Sequence, residues 1–218
     1  MKTLLFDLDG TLTDNYAGIS ASIRHACVAL GHRVPDEAAL RGCVGPPLRR
    51  TFARVLAVED PEVIERAIGH YRDRFASIGW SENEVYPGVA AMLGHLRASG
   101  HRLYVCTAKP LVYAQRIVAH FGFDAWFMRV YGADLAGHLD DKRDLLAHLI
   151  DREAIDPAAA VMIGDRAHDM LAAKANGVHA TGVLWGYGTE AELLAAGADA
   201  VAETPAALID TLGRYNSA

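Results

Sequence analysis

Thr3-Leu4-Leu5-Phe6-Asp7-Leu8-Asp9-Gly10-Thr11 is a short apolar run broken abruptly by two carboxylates and a glycine. A run of that length bounded by turn residues fits a strand buried on both faces, the kind a parallel sheet contains. The change to Asp-Leu-Asp-Gly-Thr then marks the C-terminal edge of that strand. Asp7 and Asp9 also cut the run short of the apolar core of a secretory signal, and no later stretch is long enough to span a membrane.

Outward from this strand the period changes. From about Gly18 to Ser77 apolar residues recur at helical spacing: Ile19, Ile23, Ala26 and Leu30 with Gly31 as a stop, then Leu48, Phe52, Val55 and Leu56 after Pro46-Pro47. Val63, Ile64, Ala67, Ile68, Tyr71 and Phe75 make a further amphipathic stripe. No strand pattern interrupts this block, which reads as an all-helical insert.

After Tyr86-Pro87-Gly88 the pattern alternates. Helices are expected over Val89 to Ala98, Leu111 to His120, Lys142 to Asp151, Asp169 to Asn176 and near Glu190 to Ala196. Between them fall strands over Leu103 to Cys106, Trp126 to Tyr131, Ala160 to Ile163 and His179 to Leu184. Alternation with short glycine-marked connections predicts an α/β fold: a doubly wound, Rossmann-like, mainly parallel sheet with an inserted α-helical cap domain. The expected division is a discontinuous core, residues 1–13 and 84–218, and a helical cap over 14–83.

The composition narrows the function. The chain has 218 residues, 51% of them hydrophobic and 22% charged, with a formal net charge of -6. That is ordinary globular usage, with no basic block to neutralise a nucleic-acid backbone. Cys27, Cys43 and Cys106 are odd in number and form no C-x-x-C pair, so neither a disulfide framework nor a zinc site is indicated. Cytoplasmic residence, as a monomer or a homodimer, is the expectation.

Chemistry gathers at the strand ends. Asp7 and Asp9 follow the first expected strand, Thr107 the second and Gly164-Asp165 the fourth, while Lys142 opens a helix. In open α/β sheets ligands sit beyond the carboxyl ends of the strands, so these groups should converge. Asp165 and Asp169, four apart across a helix start, can face one crevice. Carboxylates crowded there would repel by about 4 kcal/mol per close pair at an intermediate effective dielectric. One lysine cannot offset them all, whereas a magnesium ion suits an all-oxygen site.

In linear order, Asp7-Leu8-Asp9-Gly10-Thr11, Thr107, Lys142 and Gly164-Asp165-Arg166-Ala167-His168-Asp169 resemble the motifs of the haloacid dehalogenase-like hydrolases over essentially the whole chain. The resemblance implies that Asp7 attacks phosphorus to form an aspartyl-phosphate, and that Asp9 protonates the departing oxygen and later activates water. Thr107 and Lys142 would hold the transferring phosphoryl group, with Gly10, Thr11 and Ala108 also lining the substrate site. Asp7, Asp9 through its carbonyl, Asp165 and Asp169 would hold Mg2+. Arg143 stands where many relatives have proline.

Val44-Gly45-Pro46-Pro47-Leu48, Tyr86-Pro87-Gly88, Lys174-Ala175-Asn176-Gly177-Val178 and Val183-Leu184-Trp185-Gly186-Tyr187-Gly188 are similar to the phosphoglycolate phosphatase-like proteins and the bacterial 5'-nucleotidases. A small phosphorylated metabolite is the implied substrate.

Other readings compete. Asp-x-Asp-Gly also opens calcium loops, but the twelfth position from Asp7 is Gly18, not glutamate. A 2-haloacid dehalogenase would need neither Asp9 nor magnesium; a sugar phosphomutase would keep Asp9; a non-catalytic phosphate-binding protein could keep the fold alone. Lys109 could help close the site or answer the cap, and Arg41, Arg49 and Arg50 could meet a substrate carboxylate or phosphate. Exposed lysines are mostly solvated, so a solvated side chain is the expectation for Lys109 and for at least two of the three arginines. His168 has no assigned role.

Overall fold

Thr3 to Phe6 form strand β1, and all four side chains are buried. The computed structural model describes residues 2–136 and 138–214; residues 1 and 215–218, the ends of the expected core range, lie outside the described residues. The chain divides into two units, one of residues up to Thr13 together with those from Val85 onward, the other Asp14–Glu84. The division falls inside a two-stranded ribbon in which β2 (Thr13–Asp14) pairs with β3 (Glu84–Val85).

The inserted unit carries helices α1 (Tyr16–Ala29), α2 (Glu37–Arg41), α3 (Leu48–Leu56) and α4 (Pro61–Arg74), followed by a π-helical turn over Phe75–Gly79. α1 stops where expected: Gly31 takes φ +67° and the N–H of His32 returns to the Cys27 carbonyl. α4 starts on Asp60, whose carboxylate accepts from Glu62 N at 2.9 Å, with Pro61 at the first helical position. Its core includes Ile23, Leu40, Phe52, Ile68, Tyr71 and Phe75, the last two rings stacked at 5.4 Å. Arg41 lies over the Tyr16 ring and Arg49 pairs with Glu65 at the surface.

Within this unit α1 and the π turn touch backbone to backbone. A Cβ on Gly18 would stand 1.9 Å from the Gly79 carbonyl oxygen.

The first unit continues with α5 (Val89–Ala98), β4 (Arg102–Pro110), α6 (Leu111–His120), β5 (Arg129–Ala133) and α7 (Lys142–Glu153). Then come β6 (Ala160–Gly164), α8 (Ala167–Ala175), β7 (His179–Val183), α9 (Glu190–Ala195), β8 (Ala200–Ala202) and α10 (Pro205–Arg214). The sheet order is β5-β4-β1-β6-β7-β8, every pairing parallel. This is the expected doubly wound α/β architecture. The chain runs from β1 outward through β4 and β5, then returns to β6 on the other side of β1. The order therefore reverses at β1, and Phe6 lies opposite both Val105 and Ile163. A ligand crevice belongs at that reversal.

Three details depart from the sequence expectations. The apolar run from Trp126 is not a strand: Phe127 is a buried plug edge-on to Phe6 at 5.9 Å, and β5 starts only at Arg129. Burial alone does not separate a core plug from a strand. β4 runs past Cys106 to Pro110, so Thr107 lies within it. β8 and α10 follow the last expected element: Ala-Val-Ala is a poor strand former, while α10 buries Leu208 and Leu212 at helical spacing.

Replacing Gly18 with alanine should lower stability by about 1–3 kcal/mol, the range for an overpacked contact. Gly69→Ala, in α4 with nothing within 4 Å of its added methyl, serves as the control. It should be neutral or gain up to about 1 kcal/mol. Urea unfolding of both variants checks this; equal midpoints would refute the close approach.

Candidate active site

The loop after β1 is folded by its own residues. Leu8 and Leu12 are fully buried, and the Leu8 carbonyl accepts from the N–H groups of Thr11, Leu12 and Thr13. Gly10, at φ +85°, makes the turn between them. This leaves Asp7 fixed at the strand end, its N–H bonded to the Ile163 carbonyl at 2.9 Å.

Asp7 Oδ1 accepts from the Leu8 N–H at 2.8 Å and pairs with Lys142 Nζ at 2.9 Å. Among the described residues no hydrogen bond reaches its Oδ2. Burial raises the proton affinity of this carboxyl, but the charges of Lys142 and His168 and the bonds from Lys142 and Leu8 outweigh it, and its pKa lies below the usual carboxylate value. Asp7 is thus held ionised with one oxygen available.

Lys142 is delivered as the first residue of α7, whose start is fixed by Asp141 accepting from Arg143 N at 2.9 Å. Its ammonium is buried, and it also pairs with Asp169. Burial would lower its pKa, but Asp169 and Asp7 raise it above the ordinary lysine value, so it stays charged.

Asp169 lies in the first turn of α8 and accepts from Arg166 N at 3.0 Å. Gly164 makes room for it, since a Cβ there would stand 2.2 Å from Asp169 Cγ. Glu192 braces the same helix start, accepting from Ala167 N and Arg166 Nε at 2.9 Å each.

Asp165 is 0% exposed, and its donors are neutral: the Thr11 hydroxyl at 3.2 Å and the Tyr187 N–H at 2.9 Å. Three glycines wall it in. A Cβ on Gly10 would stand 2.2 Å from its Oδ2, one on Gly186 2.5 Å from its Cβ, and one on Gly188 1.9 Å from its carbonyl oxygen. Burial first, then the charges of Asp169 and Asp7, push its pKa well above the carboxylate range. A buried carboxylate with neutral donors and anionic neighbours calls for a cation. The donor set therefore fits a hard divalent ion.

Asp7, His168 and Asp169 also present atoms within 4.8 Å of one another. The Lys142 ammonium already bridges Asp7 and Asp169 there, so the unmet charge is that of Asp165.

Thr107 is buried in β4, two residues beyond the level of Phe6, and accepts from Lys109 N at 3.3 Å. Ala108 is half-buried beside it. Asp9 is half-buried, and its Oδ2 stands 2.5 Å from Lys109 Nζ. Lys109 is thus not the solvated lysine expected; its side chain is 6% exposed. The signal for a role at the site is its position in β4 two residues after Thr107. His168 joins the cluster as well, its Nε2 3.8 Å from Asp169. Cys106 is only packing: burial pushes its thiol to about 12.

Burial raises the Asp165 pKa on folding. Its stabilising contribution is fully present below the ordinary carboxylate value and is lost as pH rises through the raised folded value. Asp7 acts oppositely, its contribution being lost as pH falls through its lowered value. In chelator, wild-type protein should therefore lose stability relative to Asp165→Asn as pH climbs from the carboxylate range toward neutral. Urea midpoints of the two proteins across that range check it, and parallel profiles would contradict it.

A family model described as haloacid dehalogenase-like hydrolase matches residues 4–183. A 5'-nucleotidase of Pseudomonas aeruginosa is 44% identical over 192 residues, covering 88% of this chain and 86% of its own length. Tyrosine-protein kinase PtkA of Mycobacterium tuberculosis is 40% identical over 187 residues, covering 86% of this chain but only 63% of that protein. The crystal structure of a predicted phosphatase from Clostridium acetobutylicum superimposes with a TM-score of 0.93 at 36% identity, covering 98% of each chain. With its site assembled at the sheet reversal and the family match running from β1 to the end of β7, the chain belongs to the haloacid dehalogenase-like hydrolases.

Proposed function

We propose that the protein is a magnesium-dependent phosphomonoesterase that hydrolyses a small phosphorylated metabolite through an aspartyl-phosphate on Asp7. The observation that carries this reading is the Asp7 carboxylate, held ionised at the reversal of the sheet by Lys142 with its Oδ2 directed to no described donor. The 5'-nucleotidase similarity supports a phosphate ester as substrate.

Asp7 Oδ2 attacks phosphorus, and the bond from phosphorus to the ester oxygen breaks. Asp9 gives that departing oxygen its proton. A water then attacks the phosphoryl group, Asp9 takes the water's proton, and the Asp7 carboxylate is restored. Lys142 holds the oxygen of Asp7 that does not react, and Thr107 offers a hydroxyl to the transferring group, while Gly10, Thr11 and Ala108 line the substrate site. Positioning and charge neutralisation supply most of such catalysis. Asp7, the Asp9 carbonyl and Asp165 would hold Mg2+, with Asp169 beside them, and the ion would neutralise the phosphoryl oxygens.

Candidate substrates are 2-phosphoglycolate and nucleoside 5'-monophosphates. Phosphate release with magnesium across these two classes, sugar phosphates and pyrophosphate should single out one class and vanish in Asp7→Asn. Isomerised sugar phosphate would indicate a mutase, halide release from 2-haloacids a dehalogenase, and transfer from ATP to a tyrosine peptide an activity like that named for PtkA. Binding without turnover would leave a phosphate-binding protein.

Magnesium at about 100 times its dissociation constant should stabilise the wild type by about 2.7 kcal/mol. Asp165→Asn should lose most of that gain, as read by thermal melting with and without the ion. An equal gain in both proteins would remove Asp165 from the site.

A further inference from the structure

Lys109 places a buried cation on Asp9, and the backbone that delivers it is irregular. Across β4 and β5, Thr107 lies opposite Gly132 and Pro110 opposite Ala133, so Ala108 and Lys109 are extra residues on one strand. Such bulges re-aim side chains and recur beside active sites. Gly132 admits this one, because a Cβ there would stand 2.6 Å from the Lys109 carbonyl oxygen and 3.0 Å from Leu111 Cα.

The same bulge carries the hydrogen bond from Lys109 N to the Thr107 hydroxyl oxygen, so one short segment orients both groups. The Lys109 and Asp9 side chains are 6% and 12% exposed. Desolvating two charges to that extent is costly, and a buried pair is weak grounds for a stabilising role alone.

We propose that Lys109 is a positioning residue for Asp9, gripping one carboxylate oxygen so that the group is held in one orientation, and that the bulge admitted by Gly132 is what aims it. The inference rests on the phosphomonoesterase reading, in which Asp9 hands a proton to the departing oxygen. A well-placed general acid matters most when that oxygen leaves as a basic alkoxide and least when it leaves as a stabilised phenolate. A lysine that merely stabilised the fold would not distinguish the two.

The test compares kcat/KM for 4-nitrophenyl phosphate and for a simple alkyl phosphate in magnesium-loaded protein, with folding checked by circular dichroism. Lys109→Met should lose about 100-fold on the alkyl ester and about tenfold or less on the aryl ester. Lys109→Arg, which keeps a cation and donors against Asp9, should hold the ratio of the two esters within about threefold of wild type. Gly132→Ala, which leaves the charge in place, should shift the ratio in the same direction as Lys109→Met.

Equal losses on both esters in Lys109→Met, or a ratio in Lys109→Arg as low as in Lys109→Met, would overturn the positioning role while leaving the phosphatase reading intact. Failure of the wild type to hydrolyse either ester would instead overturn the phosphatase reading, and this inference with it.

Discussion

The buried ammonium of Lys142 lies between Asp7 and Asp169, and the rest of the site is arranged around that contact. Two carboxylates at the end of a parallel sheet would repel each other and bind protons; a charged lysine between them keeps Asp7 ionised and turns the repulsion into a fixed geometry. The fold serves this contact from three directions. β1 brings Asp7, the start of α7 brings Lys142, and the turn from β6 into α8 brings Asp169. Loss of any one would leave buried charge uncompensated.

Lys142 forms no ion pair with Asp165, and its charge does not offset the burial and the neighbouring carboxylates that raise the Asp165 pKa. Gly10 and Gly186 close on the Asp165 side chain, and Gly188 on the backbone carbonyl oxygen of the same residue, so tightly that each position excludes even a methyl group. The glycines come from the β1 loop and from the segment after β7, far apart in sequence, and both segments approach the same carboxylate. The Trp185 indole N–H, bonded to the Thr11 carbonyl at 2.9 Å, ties the two segments together. A wall this tight holds the carboxylate in one orientation, which suits a hard cation with strict geometry such as magnesium.

Much of this could be read from the chain alone. The apolar run ending at Asp7, the alternation after Gly88 and the helical period of the insert each carry a periodic signal, and the sheet reversal at β1 follows from the order of the elements. Asp7, Asp165, Asp169 and Lys142 were legible because each sits at a strand end or helix start. Phe127 was misplaced because a buried aromatic plug and a buried strand look alike in one dimension. Lys109, a candidate for closing the site whose expected state is solvated, is hard to place for a different reason. Its burial depends on a register slip that Gly132 permits on a neighbouring strand, and no local pattern records a pairing between segments that distant.

In the proposed reaction Asp7 becomes covalently phosphorylated, and the most direct measurement is acid quench of the magnesium-loaded protein within one turnover of a phosphate-labelled substrate, followed by peptide mapping. The label should be found on the peptide containing Asp7, be released by hydroxylamine as an acyl phosphate is, and be absent from Asp7→Asn. Substrate turnover with no label on that peptide, or with label on another side chain, would contradict it.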